Sequence, residues 1–178
     1  MNVLVIADDD LALPKIPVVP VDVIVSCGDL AEEMILRTAE RLGNPPILAV
    51  KGNHDSGGAF DAQIQNLHLT TVTLAGLTFG GFEGCLDYKP VGHYLYSQGA
   101  VGEQMQDFPK VDVFVAHNSP ANIHDRADGI HNGFTAFHRY IETKRPRLML
   151  HGHQHVNEES TLYFTKVIGT YGFRMLSL

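Results

Sequence analysis

Cysteine is scarce in this chain. Cys27 and Cys85 are the only two. That is too few for the disulfide framework of a small secreted domain, and it suits a reducing cytoplasm. No apolar run approaches the roughly 18 residues that cross a bilayer, so no membrane-spanning helix is expected. No basic segment precedes the first apolar stretch, which reads as a strand and not as a signal peptide. Positive charge is also in short supply: 13 Lys and Arg stand against 20 Asp and Glu, a formal charge of −7. The basic residues are scattered, apart from a small cluster at Lys144, Arg145 and Arg147 that suits the carboxyl end of a helix. A protein that tracks long nucleic acid needs a basic stripe to displace counterions, and none is present. Small phosphorylated molecules remain compatible, because bound metal can supply local positive charge on an acidic protein. Repeats, low-complexity tracts and linkers are lacking too. With 178 residues, 44% of them hydrophobic, the chain reads as one domain, 1–178, with room for a sizeable core.

What is there begins with alternation. Residues 2–7 and 21–27 are continuously apolar and β-branched, as expected of parallel strands covered on both faces. Pro14, Pro17 and Pro20 between them predict a short irregular crossover. Leu30, Met34, Ile35, Ala39 and Leu42 have helical spacing over 30–42, and Gly43 ends that helix before a strand at 47–51. Residues 67–83 alternate around Gly76 and predict a β-hairpin. Gly84 to Gln98 reads as a long surface loop, of the kind that often carries function. Short helices are expected at 101–107 and 133–144, and two further strands over 161–178.

Metal-ligand residue types stand at the ends of these apolar runs. Asp8 and Asp10 follow the first run, and Asp29 follows Gly28 at the end of the second. Asn53 and His54 follow Gly52. His117 follows Val113–Ala116, and His153 and His155 follow Gly152. Open α/β folds bind ligands at the carboxyl edge of the sheet, so a single site is expected there. Asp8 and Asp10 are two apart, as are His153 and His155, so an extended strand end points each pair the same way. The set mixes carboxylate, amide oxygen and imidazole, which suits Mn, Fe, Zn or related divalent ions better than an all-oxygen Ca²⁺ loop. Each motif alone has a plainer reading. Asp8–Asp10 could be a solvated turn, Gly28-Asp29 a turn, and His117 a satisfied structural histidine. Their shared order, position and chemistry favour the site. Cys27 reads as a buried structural thiol.

In this order, Asp8-x-Asp10, Gly28-Asp29, Gly52-Asn53-His54-Asp55, His117 and Gly152-His153-Gln154-His155 resemble the calcineurin-like metallophosphoesterase superfamily. The resemblance spans nearly the whole chain. Residues 80–96 and 123–134 are similar to a subgroup of small prokaryotic members. The resemblance implies an α/β fold, a four-layer α/β/β/α sandwich with two mixed β-sheets. It also implies two divalent ions, Mn foremost, with Fe, Zn, Mg or Ni as alternatives. Asp29 would bridge them, with Asp8 and His155 on the first ion and Asn53, His117 and His153 on the second. Asp10 stands where the family usually has His. As a ligand it would add negative charge, weaken Lewis acidity and favour harder ions such as Mn²⁺ or Mg²⁺.

The activity implied is hydrolysis of a small phosphoester by a metal-bridging hydroxide, with diesters favoured over monoesters. His54 is the expected proton donor to the leaving oxygen. For Asp55, orienting His54 and simply capping a turn have equal weight. His124, Asp125, Asp128 and His131 read equally as surface polar residues or as supports of the site. His151 is expected to point away, and Tyr88, Tyr94 and Tyr96 are candidate rim residues. Two other functions fit the fold: a metal-binding scaffold like the retromer subunit of similar size, and a nuclease, against which the acidic balance argues. No oligomeric partner surface stands out.

Overall fold

The computed structural model describes residues 1–126 and 128–178. In chain order it contains β1 (Asn2–Ala7), β2 (Val23–Ser26), α1 (Glu32–Arg41), β3 (Ile47–Ala49), β4 (Ile64–Asn66), β5 (Thr71–Leu74) and β6 (Leu77–Phe82). There follow β7 (Cys85–Leu86), β8 (Leu95–Tyr96), α2 (Gln98–Met105), β9 (Val113–Ala116), α3 (Thr135–Lys144) and β10 (Leu148–His151). The chain closes with β11 (Glu159–Leu162), β12 (Thr165–Gly169) and β13 (Gly172–Ser177). One sheet has the order β13-β1-β2-β3-β4, and the other β11-β12-β10-β9-β6-β5. Both are mixed. β1 to β4 run parallel with β13 antiparallel at the edge. In the second sheet β6, β9, β10 and β12 run parallel, with antiparallel β5 and β11 at its edges.

Side-chain alternation sorts the core into three interfaces, and these fix the layers. Val3, Val5, Val25 and Leu48 from the first sheet pack on Phe79, Val115, Leu150 and Ile168 from the second. The alternate residues Leu4, Ile6 and Ile24 face outward against Ile35 and Ala39 of α1 and against Leu13 and Ile16 of the crossover. On the far side, Phe82, Phe114 and Met149 meet Val101 and Met105 of α2 and Phe137 and Ile141 of α3. The result is the four-layer α/β/β/α sandwich. Coverage on both faces explains why β1, β2 and β9 are apolar at nearly every position.

The crossover is a single 3-10 turn, Leu13–Lys15, and the Arg41 guanidinium ties it to α1 through the carbonyls of Leu13, Pro14 and Ile16. α2 begins earlier than 101 because Ser97 Oγ accepts the Ala100 N–H and caps it. The expected loop from Gly84 to Gln98 contains the short parallel pair β7 and β8. Among the described residues no helix is long and apolar enough to cross a membrane.

Candidate metal centre

β1, β2 and β3 of one sheet and β9 and β10 of the other deliver their carboxyl ends to a common edge. The chain reverses sharply there. Asp8 (φ 62), Asp29 (φ 56), His153 (φ 61) and His155 (φ 53) all adopt left-handed backbone conformations. Non-glycine residues do so uncommonly, and such strain gathers at functional sites. These turns also end the alternation assumed for each Asp and His pair, which holds only while the backbone is extended.

The most compact part of the site is Asp29, His117 and His153. One ligand atom from each lies within 4.8 Å of the other two. His117 Nδ1 is 2.8 Å from the Cys27 carbonyl, which can only accept, so Nδ1 carries the proton. Nε2 then faces inward, 3.1 Å from Asn53 Oδ1 and 3.4 Å from Asp29 Oδ2. His153 is held in the same manner by the opposite nitrogen, with Nε2 donating to the Ile130 carbonyl at 3.3 Å and Nδ1 left for a ligand. Metal-binding imidazoles are characteristically oriented through their other nitrogen in this way. Burial lowers the His117 pKa, but Asp29, Asp8 and the Cys27 carbonyl outweigh it and raise it to about 9. Burial likewise pushes Asp29 up, yet His117 and the His54 N–H bring it down to about 2. His153, buried beside His117, falls to about 3.

The other side is looser. Asp8 Oδ2 accepts the His153 N–H at 2.9 Å, while Oδ1 is buried with no hydrogen-bond partner among the described residues. Burial raises this carboxyl to about 7. His155 Nε2 lies 4.0 Å from that orphaned oxygen, on a side chain that is 53% exposed. Both Asp10 oxygens take the Ala31 N–H at the start of α1 (3.1 and 3.4 Å), on the wall of a cleft that Asp29 also lines. A partnerless buried carboxylate oxygen, beside inward-facing imidazole, amide and carboxylate atoms, fits a divalent cation.

The two residues expected to act on protons have different surroundings. His54 is exposed, and its backbone N–H donates to Asp29 Oδ1 at 2.7 Å. With Asp10, Asp29, Lys51 and Asp55 it borders an open cleft of about 520 Å³. No hydrogen bond or ion pair joins Asp55 to the His54 ring among the described residues. Asp55 accepts the backbone N–H groups of Gly52 (2.7 Å), Leu30 (3.0 Å) and Asp29 (3.1 Å), and so clamps the loops after β2 and β3 together. Glycine permits that closeness. A Cβ on Gly28 (φ +95) would lie 2.5 Å from Gly52 N, and one on Gly52 would strike Asp29 Oδ1 and sit 2.6 Å from His117 Cε1.

Sequence reasoning does not reach some of the surroundings. Lys51 is fully buried, ion-paired with Glu32 and 4.0 Å from the Phe60 ring centroid. Its buried neighbours in the chain are apolar, so only its position before Gly52 signals a special role. His151 points away from the metal cluster. Its Nδ1 donates to the Gly152 carbonyl (2.9 Å), and its Nε2 meets His124 Nδ1 (2.9 Å), whose Nε2 in turn meets Ser160 Oγ (2.9 Å). This chain pins the loop after β9 to the second sheet. Asp125 takes the Gly133 N–H, and Asp128 holds His131 Nδ1 at 2.7 Å. The His131 ring lies 5.0 Å from His153 and 6.2 Å from His155, closer to the site than a surface residue would be. Of the three tyrosines, Tyr94 bonds the carbonyls of Ser56 and Gly58, and Tyr96 bonds Glu83. Tyr88 meets Asn53, whose Nδ2 donates to its hydroxyl at 3.3 Å.

The fold is shared with solved structures of low sequence identity. TT1561 of Thermus thermophilus is similar at 18% identity and TM-score 0.64, over 96% of this chain and 89% of that one. A phosphopantetheinyl hydrolase of Mycobacterium tuberculosis matches at 12% identity and TM-score 0.64, over 98% and 95%. Zinc-complexed Vps29 of Entamoeba histolytica matches at 14% and 0.52, over 97% and 74%. No curated protein matches the chain. The model of the calcineurin-like phosphoesterase superfamily domain matches residues 1–168. With that match over almost its whole length, and with the strand ends, the layers and the clustered ligand atoms in place, the chain belongs to the calcineurin-like phosphoesterase superfamily.

Proposed function

We propose that this chain, acting as one domain over 1–178, is a divalent-metal-dependent phosphoester hydrolase with a dinuclear centre and a preference for small phosphodiesters. The observation that carries the reading is the convergence of Asp29, His117 and His153 within 4.8 Å, beside the buried, partnerless Asp8 Oδ1. Asn53, His117 and His153 would hold one ion, Asp8 and His155 the other, and Asp29 both. We assign Asp10 to holding α1. Manganese is the ion the family resemblance puts first, and the carboxylates of Asp8 and Asp29 and the amide oxygen of Asn53 suit it. The two buried free thiols, Cys27 and Cys85, suit a reducing cytoplasm.

When bound, divalent ions supply a hydroxide nucleophile near neutral pH and neutralise phosphoryl charge. The residues supply position. The Cys27 and Ile130 carbonyls fix the tautomers of His117 and His153, and Asp55 fixes the loops that carry Asp29 and Asn53. The exposed His54, anchored through its backbone to Asp29, borders the cleft and is placed to protonate a leaving oxygen. A protein named a phosphopantetheinyl hydrolase has the same fold, in keeping with hydrolysis of a phosphoester.

Manganese-dependent turnover of bis(p-nitrophenyl) phosphate beside p-nitrophenyl phosphate tests the reading, with His117→Ala as control. Diester cleavage that disappears in the variant is the expected result. A monoester preference would make the protein a phosphatase. Tight metal binding without turnover of either ester would favour a scaffold.

A further inference from the structure

Tyr88 stands out because its hydroxyl is half used. Asn53 Oδ1 faces inward to His117 Nε2 at 3.1 Å, so the amide nitrogen must face outward. That nitrogen only donates, and it donates to Tyr88 Oη at 3.3 Å. The phenol is therefore the acceptor in this bond. Its own proton has no other partner among the described residues. The hydroxyl thus lies one hydrogen bond from a residue of the metal centre with a donor to spare.

Its surroundings suit an anion. Tyr88 lines an open cleft of about 540 Å³ with Asp87, Lys89, Pro90, Gly92 and Leu95. Lys89 Nζ is 5.0 Å from the Tyr88 ring centroid, which brings a cation to that wall of an acidic protein. The neighbouring tyrosines have no such freedom. Tyr94 is spent on Ser56 and Gly58, and Tyr96 on Glu83.

We propose that the Tyr88–Lys89 wall is the substrate's phosphoryl-binding subsite, with the Tyr88 hydroxyl donating to a non-bridging phosphoryl oxygen. This rests on the hydrolase reading and adds a substrate-contact residue to it. A neutral donor, next to a carboxylate-rich centre, recognises a phosphoryl group without adding a charge that would compete with the metals. The substituent beyond the phosphorus then lies in the cleft between Lys89 and Leu95.

The experiment compares manganese-loaded wild type with Tyr88→Phe, which keeps the ring and removes the donor. Three quantities are read: bound metal per chain, calorimetric affinity for inorganic phosphate, and kcat/KM on the two p-nitrophenyl esters. Bound metal should be unchanged. Phosphate affinity should fall about 10-fold or more, and kcat/KM roughly 10- to 100-fold, as for loss of one hydrogen bond to a charged group. Unchanged phosphate affinity would overturn the proposal. So would loss of metal in the variant, which would make Tyr88 a prop for Asn53. Should wild type turn over neither ester yet bind phosphate, the hydrolase reading fails while the phosphate comparison still decides Tyr88.

Discussion

Asn53, His117 and His153 differ from Asp8, Asp10 and His155 in how far the backbone has prepared them. On the first side both rings are buried, and each has its non-binding nitrogen committed to a carbonyl, of Cys27 or of Ile130. On the second side Asp8 has a carboxylate oxygen with no partner, Asp10 is occupied at α1, and His155 is half exposed. A prepared site costs little ordering on binding, whereas a loose one must gather its ligands at the moment the ion arrives. In the proposed dinuclear centre the ions should therefore fill in order, the side of His117 first.

Removing His117 breaks the comparison most severely. His117→Ala should lose metal affinity by more than the ~100-fold that deleting a residue hydrogen-bonded to a ligand can cost. Turnover should disappear with it. His155→Ala should lose only the second equivalent and retain the first. Titration of the metal-free variants with Mn²⁺, read as equivalents bound, separates the two. Equal loss in both variants would mean that the two sides bind as one unit.

Protons test the same asymmetry. In the metal-free protein the Asp8 pKa is raised to about 7 and that of His117 to about 9, so both favour the protonated fold. The stability His117 contributes is complete below its unfolded value of 6.5 and is lost as pH rises through about 9. That from protonated Asp8 is lost between 3.8 and about 7. Metal must displace these protons, whereas His153, lowered to about 3, has none to release. The gap in Tm between manganese-loaded and chelated protein should widen from about pH 6.5 to about 9. A constant gap would mean that metal does not displace the His117 proton.

The order of the ligand motifs was legible in the sequence, and so were β1, β2, α1, the β5–β6 hairpin and the two later helices. Layered folds cover both faces of their central strands, and that leaves unbroken apolar runs. β4 and β11 were not legible, because each is short and only half buried, with polar residues such as Gln65 and Glu159 on its open face. Nor was the behaviour of Asp10. Spacing of two predicts a shared direction only on an extended strand, and the left-handed turn at Asp8 ends that condition. The carbonyls that fix His117 and His153 come from distant parts of the chain, so no local pattern carries them. Asp55 illustrates the limit well: its motif signalled the site, while its task of joining two loops is visible only once β2 and β3 are side by side.

A smaller effect concerns how the prepared side is supported. The loop that offers the Ile130 carbonyl to His153 is pinned through His124, which joins buried His151 to Ser160. His124→Ala leaves His151 Nε2 buried without a partner, at a cost of roughly 1–3 kcal/mol. Affinity for the first ion should weaken about 10-fold, the lower end for loss of a supporting contact. Chemical denaturation and metal titration of one variant read both. A stability loss with unchanged affinity would confine His124 to the fold and detach the loop from the site.

The smallest effect is at Asp10, and there the two sides part most cleanly. Its carboxylate takes the backbone N–H of Ala31, the residue that precedes the first turn of α1. Asp10→Ala should therefore cost about 1 kcal/mol of stability, as for loss of one ordinary hydrogen bond. Bound metal per chain and metal preference should be unchanged. Loss of the second equivalent would instead mean that Asp10 leaves α1 when metal arrives. The looser side would then be incomplete only in the metal-free state, and its carboxylate would become a ligand that helix α1 holds in reserve.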